Sequence, residues 1–266
     1  VTTLDTIKDR YEAVKDRIAR AAERTGRRGE DICLVAVTKY VGVEEIRELV
    51  QLGHRDFGEN LVQQLVQRTA MIGEWQARQR AHPALGPALV NDPIRWHMIG
   101  HLQRNKARKA AELCRLIHSV DSLRLAEELQ AIGLKLDRPV DMLLQVNTSG
   151  EASKFGCAPG AARHLAEQFE SMANLRLRGL MTMAPHSENP DEARPTFARL
   201  RELYEEIRSM GVGGGKRGHF NILSMGMSGD FEAAIDEGAN LVRVGSALFG
   251  DSPAGHDQAD HDAPNA

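Results

Sequence analysis

Eight short apolar runs alternate with stretches of helical spacing along this 266-residue chain. The runs lie at 34–39, 54–58, 94–99, 114–119, 140–146, 177–181, 220–223 and 241–244 and read as strands. Helical stretches fall at 43–52, 59–71, from 104, and at 122–132, 160–171, 191–210 and 230–237. A further amphipathic helix precedes them, with Leu4, Ile7, Tyr11, Val14 and Ile18 on one face and Gly26 and Gly29 at its end. Apolar strands that alternate with helices imply a parallel sheet covered by helices. Eight such units fit an α/β fold of the (β/α)8 TIM-barrel kind with an extra N-terminal helix. An open doubly wound sheet is the rival, and no G-x-G-x-x-G follows the first strand to support it.

Two stretches fall outside the alternation. Gly73, Pro83, Gly86, Pro87 and Pro93 make 73–93 an irregular excursion. From Asp251 the chain is polar and rich in Pro, Gly, His and Asp, so 251–266 is expected to be a disordered tail behind a single domain at 1–250.

Composition narrows the classes. A hydrophobic fraction of 42% supplies a core, and a net charge of −3 gives no basic field for nucleic acid. The three cysteines, Cys33, Cys114 and Cys157, lack metal-type spacing and suggest reduced thiols in a cytosol-like compartment. No signal peptide and no membrane-length apolar run stand out, so a soluble cytoplasmic protein is expected. There is no H-x-x-E-H or C-x-x-C, so no metal is expected. The cluster Arg104, Lys106, Arg108 and Lys109 reads as a solvated helix face, with a second anion or partner site as the alternative. No strong exposed apolar stripe demands a partner, and a monomer is the default.

In a barrel, functional residues lie at the carboxyl ends of strands, and phosphate is often held after strands seven and eight. The first strand ends on Lys39, whose amine, once desolvated, can attack a carbonyl to form a Schiff base. Ser224-Met225-Gly226-Met227-Ser228 and Gly245-Ser246 follow strands seven and eight and offer hydroxyls and backbone amides to an anion. Arg243 is a charge inside an apolar strand, where it needs a partner or a ligand. Asn60 follows strand two, and alternation puts His97, Ile99 and His101 on one face. Together these suggest pyridoxal 5′-phosphate: Lys39 on its aldehyde, the late loops on its phosphate, Arg243 at the ring nitrogen. A guanidinium does not readily give up a proton, so that nitrogen stays unprotonated and the ring is a poorer electron sink.

These residues sit in a larger pattern. Leu34 to Lys39, Phe57-Gly58-Glu59-Asn60, Trp96 to Gln103 with Asn105-Lys106, Asn147 to Gly156, Gly179-Leu180-Met181, Leu223 to Ser228, and Val242 to Ser246 with Phe249-Gly250 follow in order. In this pattern the chain resembles the pyridoxal phosphate homeostasis proteins, fold type III barrels similar to the N-terminal domain of alanine racemases. The resemblance implies a Schiff base on Lys39, with Ser224, Gly245 and Ser246 on the phosphate. It also implies Arg243 at the ring nitrogen and Asn60 and His97 around the ring, with Met227 counted among the cofactor-binding residues. Ser246 stands where the family usually has threonine, and Gly229 where an acidic residue is common.

The resemblance further implies a carrier that buffers the cofactor or delivers it to apo-enzymes, with no catalytic residue established. An amino-acid racemase of the alanine-racemase type is the alternative. Racemisation needs acid/base groups on both faces of the substrate. In the racemases the second is a tyrosine from a partner subunit that carries an extra β-domain. The chain as read ends soon after strand eight, so no such domain is expected and the site is expected to be open. Tyr11 and Tyr204 fall on helices, and Tyr40 is expected on the opposite side of the strand from Lys39.

Overall fold

The computed structural model describes residues 6–81, 92–151 and 154–250, with only the backbone described at 215–217. In chain order the elements are α1 (Ile7–Arg24), β1 (Cys33–Val37), α2 (Val43–Gln51), β2 (Asp56–Glu59), α3 (Val62–Ala81), β3 (Arg95–Met98), α4 (Ala107–Leu113), β4 (Leu116–Val120) and α5 (Leu123–Lys135). They continue with β5 (Val140–Gln145), α6 (Pro159–Glu170), β6 (Leu175–Met181), α7 (Arg194–Ser209), β7 (Ile222–Ser224), α8 (Phe231–Asp236), β8 (Leu241–Val244) and α9 (Ser246–Phe249).

The eight strands are parallel and close in sequence order. Closure is made by β1 on β8, with Cys33 opposite Leu241, Val35 opposite Arg243 and Ala36 opposite Val244. The expected (β/α)8 barrel is therefore observed. Helix α1 begins with a reciprocal cap: Thr6 Oγ1 accepts from the Asp9 amide at 3.1 Å, and the Asp9 carboxylate accepts from the Thr6 amide at 3.3 Å. Its buried face carries Tyr11, Val14 and Ile18 and packs on α2, α8 and α9. Among the described residues no helix is long and apolar enough to cross a membrane.

The main core lies between sheet and helices and includes Phe57, Phe169, Phe197 and Phe231, all fully buried. Burial of each such side chain contributes about 1.5–3 kcal/mol. A smaller apolar cluster fills the barrel itself, built from Val35, Leu116, Leu143, Met181 and Leu241. His97, His118, Gln145, Ser224 and Arg243 are also buried, so the barrel has a polar interior as well as an apolar one. The three cysteines are free thiols, and burial pushes Cys33 and Cys157 up to about 12.

Two expectations change. The first strand ends at Val37, not at Lys39, because a tight turn over 38–41 follows, closed by the Val41 amide donating to Thr38 O at 3.2 Å. The excursion expected from 73 is helical as far as Ala81, since α3 continues through Gly73 with Val62, Leu65, Arg68 and Ile72 buried along one face. An interior glycine costs only about 1 kcal/mol, which that face offsets. Residues 82–91 of the excursion, Leu4 and the tail from Asp251 lie outside the described residues.

Candidate functional site

Lys39 sits two residues past β1, in the turn 38–41 at the carboxyl end of the barrel. It leaves the wall between two neighbours. Val37 pairs with Gly58 of β2, two residues before Asn60, and on its other side it lies against Gly245. Lys39 is half-buried, and its Nζ stands 4.7 Å from the centre of the exposed Tyr40 ring. Tyr40 was expected on the opposite side of the strand. The strand has already ended, so alternation no longer separates the two side chains.

The turn is clamped from behind. The Thr38 amide donates to Gly58 O at 3.0 Å, and the Thr38 hydroxyl donates to Glu59 Oε1. Arg68 reaches over from α3 and donates to Thr38 O, to Glu59 Oε1 and, at 2.7 Å, to Val41 O. Glu59 is fully buried, and burial holds its carboxyl above the usual range against the pull of Thr38 and Arg68. Sequence reasoning missed this clamp. The available signal was a glutamate closing an apolar strand and an arginine on the buried face of the next helix.

Asn60 is half-buried and its Oδ1 has no hydrogen-bond partner among the described residues. The backbone of Gly100 presses against it: a β-carbon on Gly100 would fall 2.2 Å from Asn60 O. Only glycine fits such an approach.

The two late loops meet. Ser228 Oγ accepts from the amide of Gly245 at 3.1 Å and from that of Ala247 at 3.2 Å. Exposed Ser246 lies between them. The Met227 amide is committed to Asp230 Oδ1 at 2.6 Å, and the Arg243 amide donates to Gly226 O at 3.0 Å, which ties β8 to the loop. Gly226 has φ +94°, a region that favours glycine.

Ser224 and Arg243 lie in the barrel interior. Arg243 Nη1 donates to Ser224 Oγ at 2.7 Å and Nη2 to Thr182 O at 2.9 Å. Burial lowers the Arg243 guanidinium to about 10, with Asp230 opposing, and no carboxylate lies within 4.0 Å of it among the described residues. Ser224 Oγ also contacts His118 Nδ1 at 3.1 Å. His97 belongs to the same interior set: its Nδ1 is 2.9 Å from His118 Nε2, and its Nε2 is 3.1 Å from Asp56 Oδ1. It lines a cavity of about 260 Å³ among the amino-terminal ends of the strands, with Asp56, Arg95, Arg115, Asp141 and Arg178. His101, expected on the same face, lies past β3 and stacks on exposed Phe155 with ring centres 4.4 Å apart.

The structure thus brings Lys39, Asn60, Met227, Gly245 and Ser246 to the carboxyl end of the barrel. Ser224 and His97 stand deeper, beside and behind Arg243. Ser228 and His118 join the set; His118 was readable only as a polar residue inside an apolar run, as Arg243 was. The arrangement offers an amine, serine hydroxyls held by backbone amides, a buried guanidinium and an amide oxygen that has no partner among the described residues. That donor set suits a phosphorylated carbonyl compound.

A family model, the alanine racemase N-terminal domain, matches residues 10–253. The pyridoxal phosphate homeostasis protein of Pseudomonas aeruginosa is 40% identical over 250 residues, which cover 93% of this chain and 96% of the relative. PipY of Synechococcus elongatus, solved with pyridoxal phosphate bound, matches with a TM-score of 0.70 at 33% identity, over 88% of this chain and 100% of that one. Alanine racemase of Clostridium difficile matches with a TM-score of 0.66 at 15% identity, over 95% of this chain and 58% of that one, a likeness of fold alone.

Proposed function

The chain belongs to the pyridoxal phosphate homeostasis proteins, built on the alanine racemase N-terminal domain, and from that membership we propose that it binds pyridoxal 5′-phosphate at the carboxyl end of its barrel. The observation that carries this reading is the convergence of the Gly245 and Ala247 amides on Ser228 Oγ, beside the strand that leads to Lys39. With its oxygen taken by those two amides, the Ser228 hydroxyl has its proton left to donate to a phosphate, beside exposed Ser246.

The residues fit the cofactor. Gly245, Ser246 and Ser228 hold its phosphate. Arg243 uses two of its five N–H donors on Ser224 and Thr182, which leaves donors for a ring nitrogen. Asn60 Oδ1 stands at the same end without a partner among the described residues. Lys39 is the residue through which the cofactor is attached. Ser224 is engaged with Arg243 and His118, so its part is to steady the guanidinium, and His97 acts from behind it. When bound, the cofactor supplies an aldehyde carbon that condenses with amines.

A carrier suits this site better than a racemase does. Tyr11 and Tyr204 are buried on α1 and α7, and Tyr40 stands over the same amine that would serve the first face. Lys39 is only half-buried and its neighbour Tyr40 is exposed, which suits access by incoming amines. We therefore read a monomeric cytoplasmic protein that holds the cofactor without turnover and passes it to apo-enzymes. A spectroscopic titration with pyridoxal phosphate tests the binding, with one equivalent taken up expected and none contradicting it. Mixing the loaded protein with an apo-enzyme acceptor tests delivery: acceptor activity that recovers faster than from the same amount of free cofactor supports it, and slower recovery removes it.

A further inference from the structure

Arg243 is a buried cation with no carboxylate within ion-pair distance among the described residues, yet it stands at one end of a continuous hydrogen-bonded series. We propose that Ser224, His118, His97 and Asp56 form a one-way relay that positions Arg243, running from the guanidinium through the barrel interior to a carboxylate at the amino-terminal mouth. The proposal rests on the cofactor reading above for its consequence, and not for its geometry.

The direction follows from donor chemistry. A guanidinium can only donate, so Ser224 Oγ accepts from Arg243 Nη1 at 2.7 Å. The serine's own proton then goes to His118 Nδ1, 3.1 Å away, which must be the acceptor. His118 therefore carries its proton on Nε2 and donates it to His97 Nδ1 at 2.9 Å. His97 in turn carries its proton on Nε2, facing Asp56 Oδ1 at 3.1 Å. Asp56 closes the series as an anion, gripped by Arg95 through Nε at 2.9 Å and Nη2 at 2.7 Å.

The opposite direction leaves a buried group unsatisfied. If His97 were an imidazolium, it would donate to His118, and His118 would donate to Ser224. Ser224 Oγ would then face two donors and its own proton would have no acceptor among its described contacts, which costs free energy in a dry interior. Burial also favours a neutral His118, which is fully enclosed. The relay aligns its dipoles toward Asp56 and so adds to the attraction of Asp230, the carboxylate that acts on Arg243 from beyond ion-pair distance. Arg243 is thereby held in one orientation, with its free donors left for a ligand.

The test has two arms. Nitrogen NMR of histidine-labelled protein without cofactor reads the tautomers directly. His97 and His118 are expected as rings that carry their single proton on Nε2. A doubly protonated His97, or a proton on Nδ1 of either ring, overturns the relay. The second arm titrates pyridoxal phosphate into S224A and S224T. S224A is expected to bind on the order of tenfold more weakly and S224T to recover most of the loss, because threonine keeps the hydroxyl. Unchanged affinity in S224A overturns the positioning role. If the wild type takes up no cofactor, the function reading fails, and the tautomers still decide the relay.

Discussion

Arg68 Nη2 donates to the carbonyl of Val41 at 2.7 Å, so a helix residue holds the far side of the turn that presents Lys39. The same guanidinium bonds Thr38 O and the buried carboxylate of Glu59. Breaking such a pair by removing one partner leaves an uncompensated buried charge and costs about 3–5 kcal/mol. R68M is therefore expected to lose about that much stability in denaturant unfolding and to bind pyridoxal phosphate more weakly. R68M/E59Q is expected to regain part of the stability, because no buried charge is left alone. A double variant no more stable than R68M contradicts the clamp.

His54 sets a pH dependence. It is buried between Tyr11 and the carbonyl of Asp56, and burial pushes its pKa down to about 4 from 6.5. The unfolded chain takes up a proton below pH 6.5 and the folded chain resists it, so stability is full above that pH and falls as pH drops toward 4. The loss expected from this one group is about 3 kcal/mol. Unfolding free energies measured from pH 7 down to pH 4 test this, and H54Q should flatten the slope. An equally steep slope in H54Q assigns the effect elsewhere.

Two glycines should respond to alanine with opposite sign. A β-carbon at Gly100 would lie 2.2 Å from Asn60 O, against backbone that cannot swing away. G100A is expected to destabilise by about 1–3 kcal/mol and to weaken cofactor binding through Asn60. Gly73 lies inside α3 with open space around its missing β-carbon. G73A is expected to stabilise by up to about 1 kcal/mol. Melting temperatures of the two variants settle both, and a shared sign refutes the contrast.

Much of this was legible in the chain. Apolar runs such as Leu241-Val242 around Arg243 mark parallel strands because both faces of each strand are covered. Lys39, Asn60 and Gly245 were readable because residues that follow barrel strands come together at one end. What could not be read depends on closure. His118 and Ser224 are 106 positions apart, and Arg68 and Glu59 meet only because α3 folds back over β2. The end of β1 at Val37 was hidden because Thr38 suits a strand, and the turn after it shows only in the bond from the Val41 amide back to Thr38 O. Helix α3 was read short because Gly73 looks like a breaker when the buried face on either side of it is unknown.

The central claim is that Lys39 carries the cofactor. Borohydride reduction of the loaded protein, followed by peptide mapping, tests it directly. The account predicts a visible absorbance band that reduction abolishes, one stable pyridoxyl adduct on the peptide that holds Lys39, and none in K39A. An adduct on another lysine, or an unaltered yield in K39A, would contradict it.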